Sequence, residues 1–256
     1  MTTFQAIVYA ILRGFTQFLP ISWEAHQQLF PFVTHWPAAT GAINGALSLG
    51  ALLALLVYFR HDWASQISCI LQVVIFRKRP MTLDERLPLF ILIATVPVLI
   101  AGPALTEHVV HIEWTPLTIA ASLAVFSVIL SFSESMSRKN KGMFDWNWLD
   151  SLIVGVVQLS TIFVGIGSLG ATWIAAMFRN YNREAAAKFA FFALAPLLVV
   201  QTVHEFQQID FHAAQPMMDT SWLSFVVAII VTMFTGLLVI GAFLKHIERK
   251  SIFQYV

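Results

Sequence analysis

The stretch "RGFTQFLPISWEAH", residues 13 to 26, places an arginine, a glutamate, a histidine and a proline among apolar residues. The chain around it has 256 residues, of which 58% are hydrophobic and 11% are charged. A soluble domain carries about a quarter charged residues, so the composition predicts an integral membrane protein. Charged groups within a bilayer usually face a cavity and mark a functional site.

Three whole-chain properties narrow the class of protein. The net charge is +1, which gives no reason to expect a nucleic-acid partner. Cys69 is the lone cysteine, so an internal disulfide is excluded. The first residues lack the basic segment and small-residue cleavage site of a signal peptide, so we treat the whole chain as mature.

Five apolar stretches are long enough to cross about 30 Å of hydrocarbon. They lie at about 39–59, 87–106, 115–135, 185–203 and 221–244. A sixth stretch, 62–78, is too polar and too short to span, and we predict an amphipathic helix in the membrane interface. The fold class predicted is therefore an all-α integral membrane protein with about five to six spanning helices.

Two further apolar stretches, 3–33 and 147–178, are interrupted, the first by Pro20 and the second by Gly165, Gly167 and Gly170. Basic residues flank both ends of the second stretch, whereas the first precedes a span that ends at Arg60. We predict two re-entrant helical hairpins of opposite orientation, because cytoplasmic loops are enriched in Lys and Arg. Fourteen of the fifteen basic residues fall on this predicted cytoplasmic side: Arg60, Arg77, Lys78, Arg79, Arg86, Arg138, Lys139, Lys141, Arg179, Arg183, Lys188, Lys245, Arg249 and Lys250.

The two hairpins share the pattern G-x-x-Q, at 14–17 and at 155–158, and a similar span follows each of them. We predict one membrane domain over 1–256, built from an inverted repeat of about 1–110 and 115–245. Such repeats place a substrate site where two broken helices meet near the bilayer midplane. Backbone that is not helical at this depth is tolerated only beside protein or water, so the breaks are expected to line a cavity.

The stretch "GFTQFLPIS" at 14–22, with His26 after it, resembles the first signature of the bacterial undecaprenyl-diphosphatase family of the bacitracin-resistance type, close to E-G-x-T-E-F-x-P-x-S-S-x-G-H. The stretch "QLSTIFVGIGSLGAT" at 158–172 resembles the second, close to P-G-x-S-R-S-G-A-T. The resemblance implies an enzyme of the bacterial inner membrane that removes the terminal phosphate of undecaprenyl diphosphate at the outer face. This reaction returns the lipid carrier to cell-wall synthesis.

The resemblance also implies catalytic roles for an acidic pair, a serine and a histidine in the first motif, and for a serine and an arginine in the second. Here Arg13 and Gln17 stand at the two acidic positions, and Ser168 stands at the position of the arginine. The matching residues that remain are Thr16, Pro20, Ser22, His26, Gly165, Gly170, Ala171 and Thr172.

Hydrolysis of a phosphate ester needs donors on the phosphate oxygens and a group that activates the attacking water or nucleophile. We predict Arg13 as the cation, His26 or Glu24 as the base, and Ser22 as a hydroxyl donor or nucleophile. The competing interpretation of Arg13 is an arginine that reaches the outer interface or pairs with Glu24. Glu24 has no counterpart in the family motif, so it either replaces a lost acid or balances Arg13.

We predict that Thr16 and Gln17 bind substrate in the first hairpin, and that Gly165, Ser168, Gly170 and Thr172 do so in the second. Glycines let the backbone approach an anion, but close packing of helices is the competing role of such small residues. We also expect Gln17 to exchange hydrogen bonds with Gln158.

No residue spacing demands a metal, and the outer histidines His108, His111, His204 and His212 are expected to be solvated. A divalent cation, Mg²⁺ or Ca²⁺, could accompany a diphosphate substrate. Two alternatives to the phosphatase stay open, namely a carrier that binds or translocates a polyprenyl phosphate without hydrolysis, and an accessory subunit with a vestigial cavity. Whether the chain forms a homodimer is also open.

Overall fold

The structure is a computed structural model that describes residues 1–77, 79–80, 82–109, 113–207, 209 and 221–248. Within these residues the protein is built from α-helices and two short 3-10 helices, Met143–Asp145 and Leu159–Ile162. The α-helices, in chain order from α1 to α10, are Thr3–Thr16, Trp23–Thr34, Gly41–Tyr58, Arg60–Ile75, Leu83–Val109, Pro116–Met136, Trp148–Gln158, Ser168–Phe178, Arg183–Gln207 and Trp222–Ile247. The all-α prediction is confirmed.

Five helices of the described chain are long and apolar enough to cross a membrane, and they coincide with the five predicted spans. They are α3, α5, α6, α9 and α10. Helix α4 has 16 residues and exposes Ile67, Leu71 and Val74 on its surface. It is amphipathic and too short to span, so its place in the membrane interface stays a prediction.

Neither interrupted stretch forms one continuous helix. Helices α1, α2, α7 and α8 have 14, 12, 11 and 11 residues. At 1.5 Å per residue the longest of them covers only about 21 Å, which is less than the hydrocarbon thickness. Each stretch is thus a pair of half-length helices around a break, and its re-entrant course through a membrane stays a prediction.

The first break lies between Gln17 and Ile21, where the chain turns around Pro20 and Ser22 caps the next helix. The second lies between Gln158 and Gly167, and contains the 3-10 helix and Gly165 at φ 115°. Proline lacks an N–H for the helix ladder, and a positive φ favours glycine. These residue types explain why both helices end where they do.

The two breaks touch each other. A Cβ built on Gly167 would lie 2.7 Å from the carbonyl oxygen of Ile21, and one on Gly170 would lie 3.3 Å from the carbonyl oxygen of Pro20. The first turn of α8 therefore packs directly against the backbone that leads into α2, as predicted for helix breaks that meet.

Glycines also dock α1 and α7 on long helices. Gly14 of α1 packs against Thr235 of α10, and Gly155 of α7 packs against the carbonyl of Ala94 in α5. Helix α3 lies between α10 and α9. Each broken pair thus leans on the last helix of the other half of the chain, and the inverted repeat with its boundaries stays a prediction.

Ion pairs join the basic segment that follows α6 to the one between α8 and α9, which places these basic residues at one end of the bundle. Asp150 is fully buried and accepts hydrogen bonds from Tyr181 Oη at 2.6 Å and Lys141 Nζ at 3.2 Å, and it also pairs with Arg179. Glu134 accepts from Arg183 Nε at 2.7 Å. Burial raises the pKa of Tyr181, and the hydrogen bond to Asp150 raises it further, so the phenol stays a donor to this carboxylate.

We predict that Gly165→Ala destabilises the fold. The residue has a φ of 115°, and a Cβ there would lie 2.4 Å from Ser122 Oγ on α6. Strain at such a position costs about 1–3 kcal/mol, which should lower the midpoint of thermal unfolding in detergent. The matched control is Gly41→Ala, since a Cβ on Gly41 would meet no atom within 4 Å. Equal midpoints for the two variants would contradict the prediction.

Candidate functional site

Arg13 lies in the last turn of α1 and is only 2% exposed, so it does not reach out to the interface. Its Nη2 donates to Ser48 Oγ of α3 at 3.2 Å and to Gln201 Oε1 of α9 at 3.3 Å. The ring of Trp23, the first residue of α2, lies 3.2 Å from the guanidinium carbon. Four helices therefore enclose this charge.

The remaining nitrogens of Arg13 are incompletely satisfied. Nε and Nη1 are buried and have no hydrogen-bond partner. In the part of the chain that the structure describes, Arg13 forms no ion pair with a carboxylate. The pair with Glu24 that the competing interpretation offered is therefore not formed. Because an unpaired buried charge is costly, a guanidinium left with free donors is suited to receive an anion.

The start of α2 lies beside Arg13 and carries Ser22, Glu24 and His26. Ser22 is fully buried, and its Oγ accepts from the Ala25 N–H at 3.3 Å and donates to Glu24 Oε2 at 3.2 Å. It is the N-cap of the helix. Ser22 thus has partners for both its donor and its acceptor, and the free N–H groups of the first turn make this helix end attractive to anions.

His26 is half-buried, and its Nδ1 lies 2.6 Å from the carbonyl oxygen of Ser22. A carbonyl can only accept, so Nδ1 carries a proton in this hydrogen bond. The other ring nitrogen, Nε2, is then the atom available to act as a general base.

Thr16 and Gln17 are buried at the end of α1. Thr16 Oγ1 donates to the carbonyl of Leu12 at 2.8 Å, whereas Gln17 Oε1 is buried without a hydrogen-bond partner. Gln158 does not exchange hydrogen bonds with Gln17. Its Nε2 instead donates to Thr172 Oγ1 at 2.7 Å within the second hairpin, because α7 and α8 face each other there.

In the second hairpin, the glycines are in close packing contacts. Gly165 lies against Ser122, Gly167 against Ile21 and Gly170 against Phe126. Thr172 is fully buried and donates to the carbonyl of Ser168 at 3.0 Å. Ser168 is half-buried at the start of α8 and lines a cleft between helices.

Three cavities are lined by Arg13 or by residues that contact it. A vestibule of about 500 Å³ is lined by Trp23, Glu24, Gln27 and Asn44 among others. A pocket of about 10 Å³, room for one water molecule, adjoins Arg13 beneath Trp23. A mainly apolar cleft of about 620 Å³ opens between α5, α8 and α9 and ends at Gln201 and His204.

The sequence interpretation missed three residues of this site, namely Ser48, Gln201 and Glu205. Gln201 and Glu205 are one helical turn apart, and Gln201 Nε2 donates to Glu205 Oε1 at 3.1 Å. The predicted span ends at 203, whereas α9 continues to Gln207. The i, i+4 spacing of two polar residues in an apolar helix was the signal that pointed to a polar face.

Within the described residues no three His, Cys, Asp or Glu side chains are grouped so as to hold a metal ion. Of the outer histidines, His204 lies in the last turn of α9 and lines the cleft. His111, His212 and the side chain of His108 lie outside the described residues, as do the basic residues Lys78, Arg249 and Lys250.

Comparisons with known proteins match the whole chain. A sequence model of the family described as "Bacitracin resistance protein BacA" matches residues 6–256. An undecaprenyl-diphosphatase of Idiomarina loihiensis is 30% identical over 256 residues, 100% of this chain and 94% of that protein. One of Moorella thermoacetica is 30% identical, covering 98% of this chain and 91% of its own, and one of Caldicellulosiruptor bescii is 36% identical, covering 78% and 73%.

We predict that Ser22→Ala costs about 1 kcal/mol of stability, because the N-cap hydrogen bond to the Ala25 N–H is lost. The cost should appear as a lower midpoint of thermal unfolding in detergent. Ser135→Ala is the matched control, since the Ser135 hydroxyl is exposed and only donates to a carbonyl of its own helix. A Ser22→Ala midpoint no lower than that of the control would refute the capping role.

Proposed function

The chain belongs to the BacA family of bacitracin-resistance proteins, and we propose from this premise that it hydrolyses undecaprenyl diphosphate to the monophosphate at the outer face of the bacterial inner membrane. The reaction would recycle a lipid carrier for cell-wall synthesis. Support comes from relatives named undecaprenyl-diphosphatase that match at about 30% identity over the full length. This evidence favours hydrolysis over a carrier that binds without turnover.

The single observation that carries the proposal is the buried guanidinium of Arg13 with partnerless Nε and Nη1. A phosphate offers several strong acceptors to such donors. The vestibule beside Trp23 and Glu24 offers an aqueous route toward this charge. Two helix N-termini, those of α2 and α8, converge at the same break and add positive potential where a diphosphate would lie.

In the proposed mechanism, water attacks the terminal phosphorus while the bond to the bridging oxygen breaks. His26 Nε2 takes the proton of the attacking water, with the ring held by the Nδ1 hydrogen bond to Ser22. Arg13 stabilises the charge that develops on the phosphoryl oxygens. The products are inorganic phosphate and the polyprenyl monophosphate, whose bridging oxygen carries away the displaced electron pair.

We assign the other predicted residues supporting roles. Ser22 and Glu24 are hydrogen-bonded to each other, so the serine orients the carboxylate and anchors α2 beneath the phosphate. Thr16, Gln17, Gly165, Ser168, Gly170 and Thr172 shape the two breaks that enclose the headgroup. Gln17 Oε1 has no partner, and because an amide oxygen accepts, we assign it to a donor such as the attacking water.

We propose that a Mg²⁺ or Ca²⁺ ion accompanies the substrate as the counter-ion of its diphosphate oxygens. The protein residues that carry out the proposed steps are Arg13 and His26, and no step requires a metal ligand from the chain.

The cleft between α5, α8 and α9 is our proposed site for the polyprenyl chain. Its walls include Val98, Leu99, Leu197 and Val200, and its polar end reaches Gln201, which contacts Arg13. A lipid bound here would place its headgroup toward the guanidinium and its chain toward the hydrocarbon. The apolar walls match the chemistry of such a chain.

We predict that His26→Ala lowers kcat/KM for phosphate release from undecaprenyl diphosphate by about 100- to 10,000-fold, the usual contribution of a general base. Purified protein in detergent, with inorganic phosphate measured, provides the assay. His35→Asn is the matched control, since His35 is exposed and sits at φ 57°, a conformation that asparagine tolerates. Activity of His26→Ala within a few-fold of His35→Asn would remove His26 from the mechanism.

The orientation in the membrane is open to a separate test in a Cys69→Ser background. We predict that Gln28→Cys at the vestibule reacts with a membrane-impermeant maleimide in right-side-out vesicles, because the vestibule should face outward. Arg138→Cys, at the basic end of the bundle, should react only after the vesicles are permeabilised. The reverse pattern would show that the chain is inserted with the opposite orientation.

A further inference from the structure

Glu205 lies in the last turn of α9, half-buried, and Gln201 links it to Arg13. Gln201 Nε2 donates to Glu205 Oε1 at 3.1 Å, while Gln201 Oε1 accepts from Arg13 Nη2 at 3.3 Å. The amide thus bridges an acid and a base that do not themselves form an ion pair in the described structure.

Ser48 of α3 holds the guanidinium from a second side. Its Oγ accepts from Arg13 Nη2 at 3.2 Å. The hydrogen bonds to Ser48 and to Gln201 both end on the same nitrogen of the guanidinium. This leaves Nε and Nη1 without partners, and it fixes the direction in which they point.

The electrostatic interaction between Glu205 and Arg13 adds to these hydrogen bonds. The Glu205 carboxylate is one amide side chain away from the Arg13 guanidinium and acts on it electrostatically. Glu205 Oε2 is itself buried without a hydrogen-bond partner. A negative charge held close to Arg13 offsets part of the cost of burying the guanidinium, but it does not occupy the donors that an anion needs.

We propose that Glu205 is the resident counter-ion of Arg13 and a positioning residue for it. This inference rests on the function proposed above. When no phosphate is bound, Glu205 balances the guanidinium and, through Gln201, holds it in place. When a phosphate ester of a long apolar alcohol binds, Glu205 repels it. Glu205 therefore weakens the binding of the monophosphate product and favours its release.

Two substitutions of Glu205 separate its charge from its hydrogen bonds. Glu205→Gln keeps the acceptor for Gln201 and removes the negative charge, so the Kd of farnesyl monophosphate should fall about five-fold or more. Glu205→Leu removes the charge and also the acceptor that holds Gln201, so Arg13 loses its fixed direction and the Kd should rise. Calorimetry in detergent measures both, and thermal unfolding confirms that each variant is folded.

The control is Glu113→Gln, an exposed carboxylate in the segment before α6, for which we expect an unchanged Kd. In turnover assays, Glu205→Gln should lower KM and kcat together, as expected when product release slows. Weaker or unchanged binding by Glu205→Gln would overturn the proposal, because a purely structural residue gives no gain in affinity. If Glu205→Leu does not fold, the Glu205→Gln result decides alone.

The same preparations separate this inference from the proposed function. Wild-type turnover without tighter binding by Glu205→Gln would refute the role of Glu205 and leave the phosphatase intact. Tighter binding by Glu205→Gln without wild-type turnover would support the counter-ion and refute the hydrolysis. Wild-type protein that neither binds nor hydrolyses would overturn both.

Discussion

Hydrocarbon cannot solvate an open backbone N–H or C=O group, so a broken helix inside a bilayer must find its partners within the protein. In the structure the two breaks lie against each other, with Gly167 on the backbone of Ile21 and Gly170 beside Pro20, so each break is covered by protein. Side chains larger than hydrogen would hold these segments apart. The contact between the breaks brings two helix N-termini together, and the site around Arg13 is built beside them.

The charge in that site is arranged differently from the pattern of the family motif. The motif has two acidic residues in the first hairpin and an arginine in the second, whereas this chain has Arg13 in the first hairpin and no charged residue from 151 to 178. An acid is still present nearby on α9, where Gln201 links Glu205 to Arg13. Relative to the motif, the cation lies in the other hairpin, and the acids near it are Glu24 and Glu205.

Hydropathy was sufficient to locate the five spans, because crossing hydrocarbon demands about twenty apolar residues whatever their neighbours are. Pro20 and Gly165 marked the breaks through backbone chemistry alone. The partners of Arg13 could not be predicted in this way, since Ser48 and Gln201 reach it from positions 35 and 188 residues away in the chain. The glycines gave an ambiguous signal, and only the contacts of Gly165 with Ser122 and of Gly170 with Phe126 show their packing role.

Trp23 and Arg13 both differ from the family motif, and the two differences are best understood together. Trp23 stands where the family motif has a serine and Arg13 where it has a glutamate, and the indole ring lies 3.2 Å from the guanidinium carbon. A cation is stabilised over the face of an indole ring, most strongly when water is excluded, so each residue gives the other a favourable environment. An accessory subunit with a vestigial cavity would gain nothing from a buried arginine with unsatisfied donors, because an apolar residue of similar volume is often no less stable there. A site that binds an anion, by contrast, requires a buried cation with free donors, although such a cation lowers the stability of the fold.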